Sequence, residues 1–304
     1  MQRVFAALML MTLVPLETAS GQDIVIGHGQ IVTTDQLALE MYSYGGRFSE
    51  PGLHDPHFNN LPVLRIIGGV LEVREPRKGE ATISASRIEL ISGKIVTHGF
   101  DLRINTPLLM NSGAKIVAFN EPFIEASEVG ENGRHGQSGG TVVLNVGQLL
   151  NTNQPLIVNL SGEAGQPGGP GVPGAPGVPG PAGRNSVPIA LGCKVSGTDG
   201  GPGGKGGPGG PGGKGGDGGD GGTLVLAGLL AKQRSKIEFI EHGGPGGPGG
   251  PGGPGGPGGL GGAGGQGDSA CPGGQQGSQG ADGEQGPSGP KGLDGRSGSI
   301  RAEY

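Results

Sequence analysis

The chain reads as a mainly β protein: a parallel β-solenoid-like scaffold from which two antiparallel polyproline II hairpins project and pack as a four-helix bundle. Three observations predict it. Glycine recurs at every third position through four tracts, residues 162–183, 197–221, 243–267 and 277–298. The only two cysteines, Cys193 and Cys271, fall in the short non-repetitive turns that join the tracts in pairs. Short runs rich in Val and Ile, often separated by Gly, Pro or Asn, occupy the sequence before and between the tracts.

The first element, residues 1–21, has the form of an export signal. Arg3 gives a positive start, residues 4–16 an apolar run, and Ala19 and Gly21 the small residues of a cleavage site. Cleavage after Gly21 is expected. An uncleaved anchor is the alternative, but the run falls short of the roughly 20 residues that a span requires. No cysteine follows the run, which argues against a lipoprotein. The mature chain is therefore expected to be exported (extracellular, at the cell surface or in a periplasm), where disulfides persist, and not to be an integral membrane protein.

Residues 22–161 make up a β-rich, solenoid-like domain, with strands expected at 23–26, 63–67, 70–74, 81–84, 87–90, 94–97, 101–104 and 115–119. From Thr82 onward apolar and polar residues alternate in closely spaced runs, and no helical period of useful length appears. Such rungs suit a parallel β-solenoid, each burying its inward side chains on the next; a β-sandwich is the competing architecture. Two later islands repeat one another: "GGTVVLNVGQLLNTNQPLIVNLSG" from Gly139 and "GGTLVLAGLLAKQRSKIEFIEHG" from Gly221, with "GSIRAEY" from Gly298 opening a third copy. Each glycine-rich excursion thus leaves the scaffold and returns to it. The order is a first hairpin at 162–221, a returning strand pair at 222–242, a second hairpin at 243–298 and a C-terminal strand at 299–304. A shorter triplet run, Gly130, Gly133, Gly136 and Gly139, precedes the first island.

Polyproline II turns once in three residues, so every third side chain falls on one edge. Glycine on that edge lets two backbones approach closely enough to exchange hydrogen bonds. Tracts two and three read mostly Gly-Gly-X and so present two bare edges; tracts one and four read mostly Gly-X-Y, with one. Two bare edges suit inner helices and one suits outer helices. The second tract ends as far beyond Cys193 as the third begins before Cys271. Matched arms place the two thiols together at the far end, where a disulfide contributes on the order of 4 kcal/mol. Free or intermolecular thiols are the alternative there. For the tracts the alternatives are a three-chain collagen helix, which gains nothing from the second glycine, and a flexible linker, which needs no strict phase.

With these repeats in view, the chain resembles two groups of proteins over residues 130–298. The Gly-Gly-X arms are similar to the glycine-rich polyproline II bundles of springtail antifreeze proteins and phage tail-tip adhesins. The Gly-X-Y arms, such as "GPSGPKGLDG", resemble secreted bacterial collagen-like proteins. The likeness is one of repeat pattern and transfers no site residue.

A net charge of −5 without a basic cluster argues against nucleic acid and anionic membranes as partners. The closest approach to a metal site is His54, Asp55 and His57 in "LHDPHFNN", whose donors suit zinc or copper; a Pro-containing surface loop explains the same residues. Asp101, Arg103, Glu89 and Lys94 are the charges that a carbohydrate-active solenoid would gather on one face. No nucleophile elbow, HExxH or P-loop motif is present. No cofactor and no catalytic residue are expected. The function expected is that of an exported structural or adhesive protein, its partners surface glycans, matrix proteins or further copies of itself. An ice- or glycan-binding module, a filament-forming subunit and a carbohydrate-active enzyme are the alternatives.

Overall fold

The computed structural model describes residues 23–37, 61–76, 79–120, 125–152, 154–190 and 192–303. The expected export signal and the His54, Asp55, His57 cluster lie outside these. Along the chain run β1 (Asp23–Ile26), β2 (Ile31–Thr33), β3 (Val63–Ile67), β4 (Val70–Glu72), β5 (Glu80–Ser84) and β6 (Arg87–Ile91). They are followed by β7 (Lys94–Val96), β8 (Asp101–Ser112), β9 (Lys115–Val117), β10 (Thr141–Asn151), β11 (Leu156–Asn159), β12 (Val187–Ile189) and β13 (Gly192–Val195). The last are β14 (Thr223–Ala227), β15 (Ile237–Ile240) and β16 (Ser299–Glu303).

Apart from β12 and β13, which pair antiparallel with each other, the described strands sort into two parallel sheets. The first has the order β1-β3-β6-β8-β10-β14-β16, with β5 beside the N-terminal part of β8; the second runs β2-β4-β7-β9-β11-β15. Sequence alternation explains the inward faces, since alternate side chains of a strand point the same way. In the first sheet Ile24, Leu64, Ile88 and Leu109 stack in register, as do Leu102, Val142, Leu224 and Ile300. In the second, Val32, Leu71, Ile95, Ile116, Val158 and Phe239 form the facing column. All three columns belong to one core cluster, each fully buried Leu, Ile or Val contributing about 1.5–3 kcal/mol. Buried Asn111 is satisfied: its amide donates to Asn151 Oδ1 (3.1 Å) and Gln154 O (3.0 Å), and its Oδ1 accepts from the Ala114 N–H. A one-residue slip of β8 would strand those groups, so this side chain fixes register.

The corners between the sheets are tight. Gly68 and Gly113 turn with φ of 64° and 70°, and Ser92 adopts the same left-handed conformation at 50°. Neighbouring Gly69 and Gly93 have no room for a Cβ, which would strike the backbone carbonyls of Gly27 and Ile66 in the preceding rung. Two features differ from the sequence expectation. Strand β8 continues past Pro107 to Ser112 because Pro107 lies beside Gly147, whose missing side chain accommodates the Pro107 carbonyl. The link after β14 is a 3-10 segment, Gly228–Lys236, that buries Leu230 and is pinned to β10 by Lys236 Nζ donating to Leu149 O (2.7 Å).

The glycine tracts grow out of both sheets without a change of register. In the second sheet Leu160 N–H donates to Ile240 O and Gly162 N–H to His242 O, both 2.9 Å. The same parallel pairing then continues at every third residue, from Gly165 to Pro245 out to Gly183 to Ala263. On the return side β14 pairs with β16, and the parallel pairing extends from Gly221 to Arg296 out to Gly197 to Pro272.

Candidate interaction surfaces

Besides these two parallel ladders, three antiparallel ones bind the tracts. Tract two donates to tract one (Gly201 N–H to Pro181 O through Gly219 N–H to Glu163 O). Tract three donates to tract two (Gly244 to Gly219 through Gly262 to Gly201), and tract four to tract three (Gly277 to Gly262 through Gly295 to Gly244). Tracts two and three therefore each bond to three others, and tracts one and four to those two. The backbones are so close that a Cβ on the inner edges would land on a carbonyl: on Gly259 O at position 203, on Ala175 O at position 256. Both glycines of each triplet are thus packing requirements in tract three, and in tract two wherever another strand faces the second one, as at Gly213, Gly216 and Gly219.

The short run 130–139 is a fifth strand beside the four tracts. Gly133, Gly136 and Gly139 donate to Lys214, Asp217 and Asp220 carbonyls, and Glu163, Gln166 and Gly169 of tract one donate to the Gln137, Arg134 and Glu131 carbonyls. It lies in the groove between tracts one and two, next to the scaffold. The chain reaches that groove along the outside of tract one, with Ser127 and Gly130 N–H on the Pro167 and Pro170 carbonyls, and reverses at Gly130 (φ 81°).

Polar X and Y residues complete the network. Asp199, Asp217 and Asp220 accept the N–H groups of Gln275, Leu293 and Arg296 at 2.6–2.9 Å, and Asp282 and Asp294 accept those of Gly258 and Gly246. These carboxylates therefore serve strand pairing. The Leu293 N–H, then the Lys214 ammonium, hold the Asp217 carboxyl below its ordinary value; for Asp294 the Lys291 ammonium leads and the Gly246 N–H follows. A folded-state pKa below the unfolded one gives stability that is present above about pH 4 and is lost as pH falls through the lowered value. The expected result is a thermal midpoint that is flat near neutrality and declines below about pH 4. In Asp217→Asn/Asp294→Asn that decline becomes shallower; an unchanged acid profile would refute the assignment.

At the far end the tips of the two hairpins meet. The antiparallel pair β12–β13 carries Cys193, and Asp268 Oδ1 accepts the N–H groups of Ala270 and Cys271 (2.9 and 2.8 Å), shaping the opposite turn. Cys193 and Cys271 are joined as a disulfide with Cα atoms 4.8 Å apart, as the matched arm lengths predicted.

What faces solvent differs from side to side. Tract one presents Val172, Pro173, Ala175, Pro176, Val178 and Pro179, all exposed, and tract three a row of prolines ending in Leu260 (66% exposed). Tract four shows mainly Gln, Ser, Glu, Asp, Lys and Arg, interrupted by Ala281, Pro287, Pro290 and Leu293. On the scaffold the suspected catalytic charges do not converge. Glu89 pairs with Arg65 and Arg87 (both 2.8 Å), and Arg65 reaches on to Asp23. Arg103 pairs with Glu80 (2.6 Å), Asp101 accepts the Thr141 N–H, and Lys94 Nζ, on the other sheet, donates to Asn120 Oδ1. Of these, Arg65–Asp23, Arg65–Glu89 and Arg103–Glu80 are cross-strand ion pairs. Among the described residues there is no group of three or more His, Cys, Asp or Glu placed to hold a metal, and no helix long and apolar enough to cross a membrane.

No family model, curated protein or solved structure matches the chain.

Proposed function

We propose that this is an exported structural or adhesive protein in which a parallel β-solenoid displays a rigid four-helix polyproline II bundle. The observation that carries the reading is the unbroken three-residue hydrogen-bond period that links all four tracts, closed at the tips by Cys193–Cys271. A three-residue period is that of polyproline II, and a 25-residue arm at about 3.1 Å per residue extends roughly 75 Å. Glycine amides that a lone polyproline helix would give to water are here given to neighbouring tracts at three-residue intervals, so the rod needs no apolar interior. The disulfide suits an oxidising compartment. A stiff, polar, protease-resistant rod serves spacing and attachment, with surface glycans, matrix proteins or further copies of the chain as partners.

Solution scattering of the exported chain should show an elongated monomer, circular dichroism a polyproline II signature alongside β-structure, and arrays of glycans and matrix proteins binding without turnover. A trimer mass or a random-coil spectrum over the repeats would overturn the bundle; substrate turnover would overturn the adhesive role. The regular apolar rows of tracts one and three favour one second reading, an ice-binding face; absence of thermal hysteresis at high concentration removes it.

A further inference from the structure

The groove between tracts one and two is only half filled. Next to the scaffold the short run 131–139 occupies it, its glycine N–H groups on the carbonyls of Lys214, Asp217 and Asp220 and its own carbonyls taking the N–H groups of Glu163, Gln166 and Gly169. Beyond the reversal at Gly130 the same two rows continue outward. Val172, Ala175 and Val178 are the next donors on tract one, and Pro211, Pro208, Lys205 and Pro202 the next carbonyls on tract two. None of these seven backbone groups has a hydrogen-bond partner among the described residues, and all seven residues are exposed. The floor also continues. A Cβ at Gly213, Gly216 or Gly219 would strike the carbonyls of Glu131, Arg134 and Gln137, so those glycines make room for the fifth strand. Gly210, Gly207 and Gly204 keep that edge bare farther out, where a Cβ would stand 3.2–3.3 Å from the nearest tract-one atoms.

We infer that the outer groove is a docking site for a single polypeptide strand with glycine at every third residue, supplied by another protein. The inference rests on the bundle reading above. The short run defines what fits: the strand runs parallel to tract two and antiparallel to tract one, its Gly N–H given to tract two and the carbonyl of the next residue taken by tract one. Only a glycine edge approaches closely enough, and a polyproline II strand arrives with little ordering cost. Three donors at three-residue spacing accept about three triplets, roughly 28 Å of strand. A second copy of this chain is the poorer occupant, because each of its described glycine tracts is already bonded within its own bundle.

The probe is a fluorescent peptide of five Gly-Pro-Gln triplets, read by anisotropy against the full disulfide-bonded chain. Saturable binding is expected, with none for the peptide that has Ala in place of each Gly. Val172→Pro/Ala175→Pro/Val178→Pro removes the three donors and should weaken binding about tenfold or more. Its fold is safe, because Pro181 already occupies the same row while accepting the Gly201 N–H. Gly207→Ala, which raises the groove floor, should weaken binding as well. Absence of saturable binding, equal binding of the Ala peptide, or full binding by the triple-proline variant overturns the inference while leaving the bundle standing, provided dichroism still shows polyproline II. A random-coil spectrum overturns both. A peptide-free dimer that the triple-proline variant abolishes assigns the groove to a second copy and also overturns it.

Discussion

Gly256→Ala should lower stability by about 2–4 kcal/mol, seen as a fall of roughly 10 °C in the thermal midpoint. Position 256 lies in the middle of tract three, where the added methyl would sit on the Ala175 carbonyl. Backbone cannot yield there as a side-chain tip would. Gly256 donates to Gly207 O (2.9 Å) and accepts from Gly283 N–H (2.8 Å), so a displaced tract three loses bonds to tracts two and four together. Pro257→Ala, one residue on, changes an exposed ring whose carbonyl still accepts from Gly177. It should cost under about 1 kcal/mol. Equal midpoints for the two variants would show that the inner glycine edge is not close-packed.

Reduction of Cys193–Cys271, or Cys271→Ser, should remove on the order of 4 kcal/mol by the chain-entropy estimate for a closed loop of this size. The loss is local in its expression. At the base the arms are tied to β11, β14, β15 and β16, whereas at the tips they are held by β12–β13, the Asp268 turn, the last triplet bonds and the pairing of Asn185 and Ser186 with Gln266. Amide exchange should therefore accelerate first in residues 184–200 and 262–275 and later toward the scaffold. Uniform acceleration along the arms, or none, would show that the disulfide is not what holds the two tips together.

The sequence disclosed the large-scale plan because it is written in two periods. Alternating Val and Ile marked the strands of both sheets, and the second glycine of tracts two and three marked the tracts with the most neighbours. The tip disulfide was legible from arm lengths alone. The rest was hidden for physical reasons. Ile31–Thr33 is too short to show an alternation, and Pro107 reads as a strand breaker until Gly147 is known to lie beside it. The run 130–139 looked like a brief triplet repeat because nothing local says which groove receives it; its glycines match the bare edge of residues far along the chain. That Asp217 and Asp220 pair strands was hidden too, because it depends on which amides tract four leaves free. The half-filled groove was likewise invisible, since an absent neighbour leaves no mark on sequence.

The continuity of register from sheet to tract has a consequence for how such a protein changes size. Each ladder is fixed at its base by strand pairing and at its tip by one covalent bond. An insertion of one residue would turn every outward side chain of that arm into a neighbour's backbone. An insertion of one triplet in a single arm would carry a cysteine past its partner. Only a triplet added at the same level in all four arms preserves both ends. On the polyproline II reading proposed above, the arms lengthen or shorten only in concerted steps of roughly 9 Å, and their length is a property held jointly by four distant stretches of sequence.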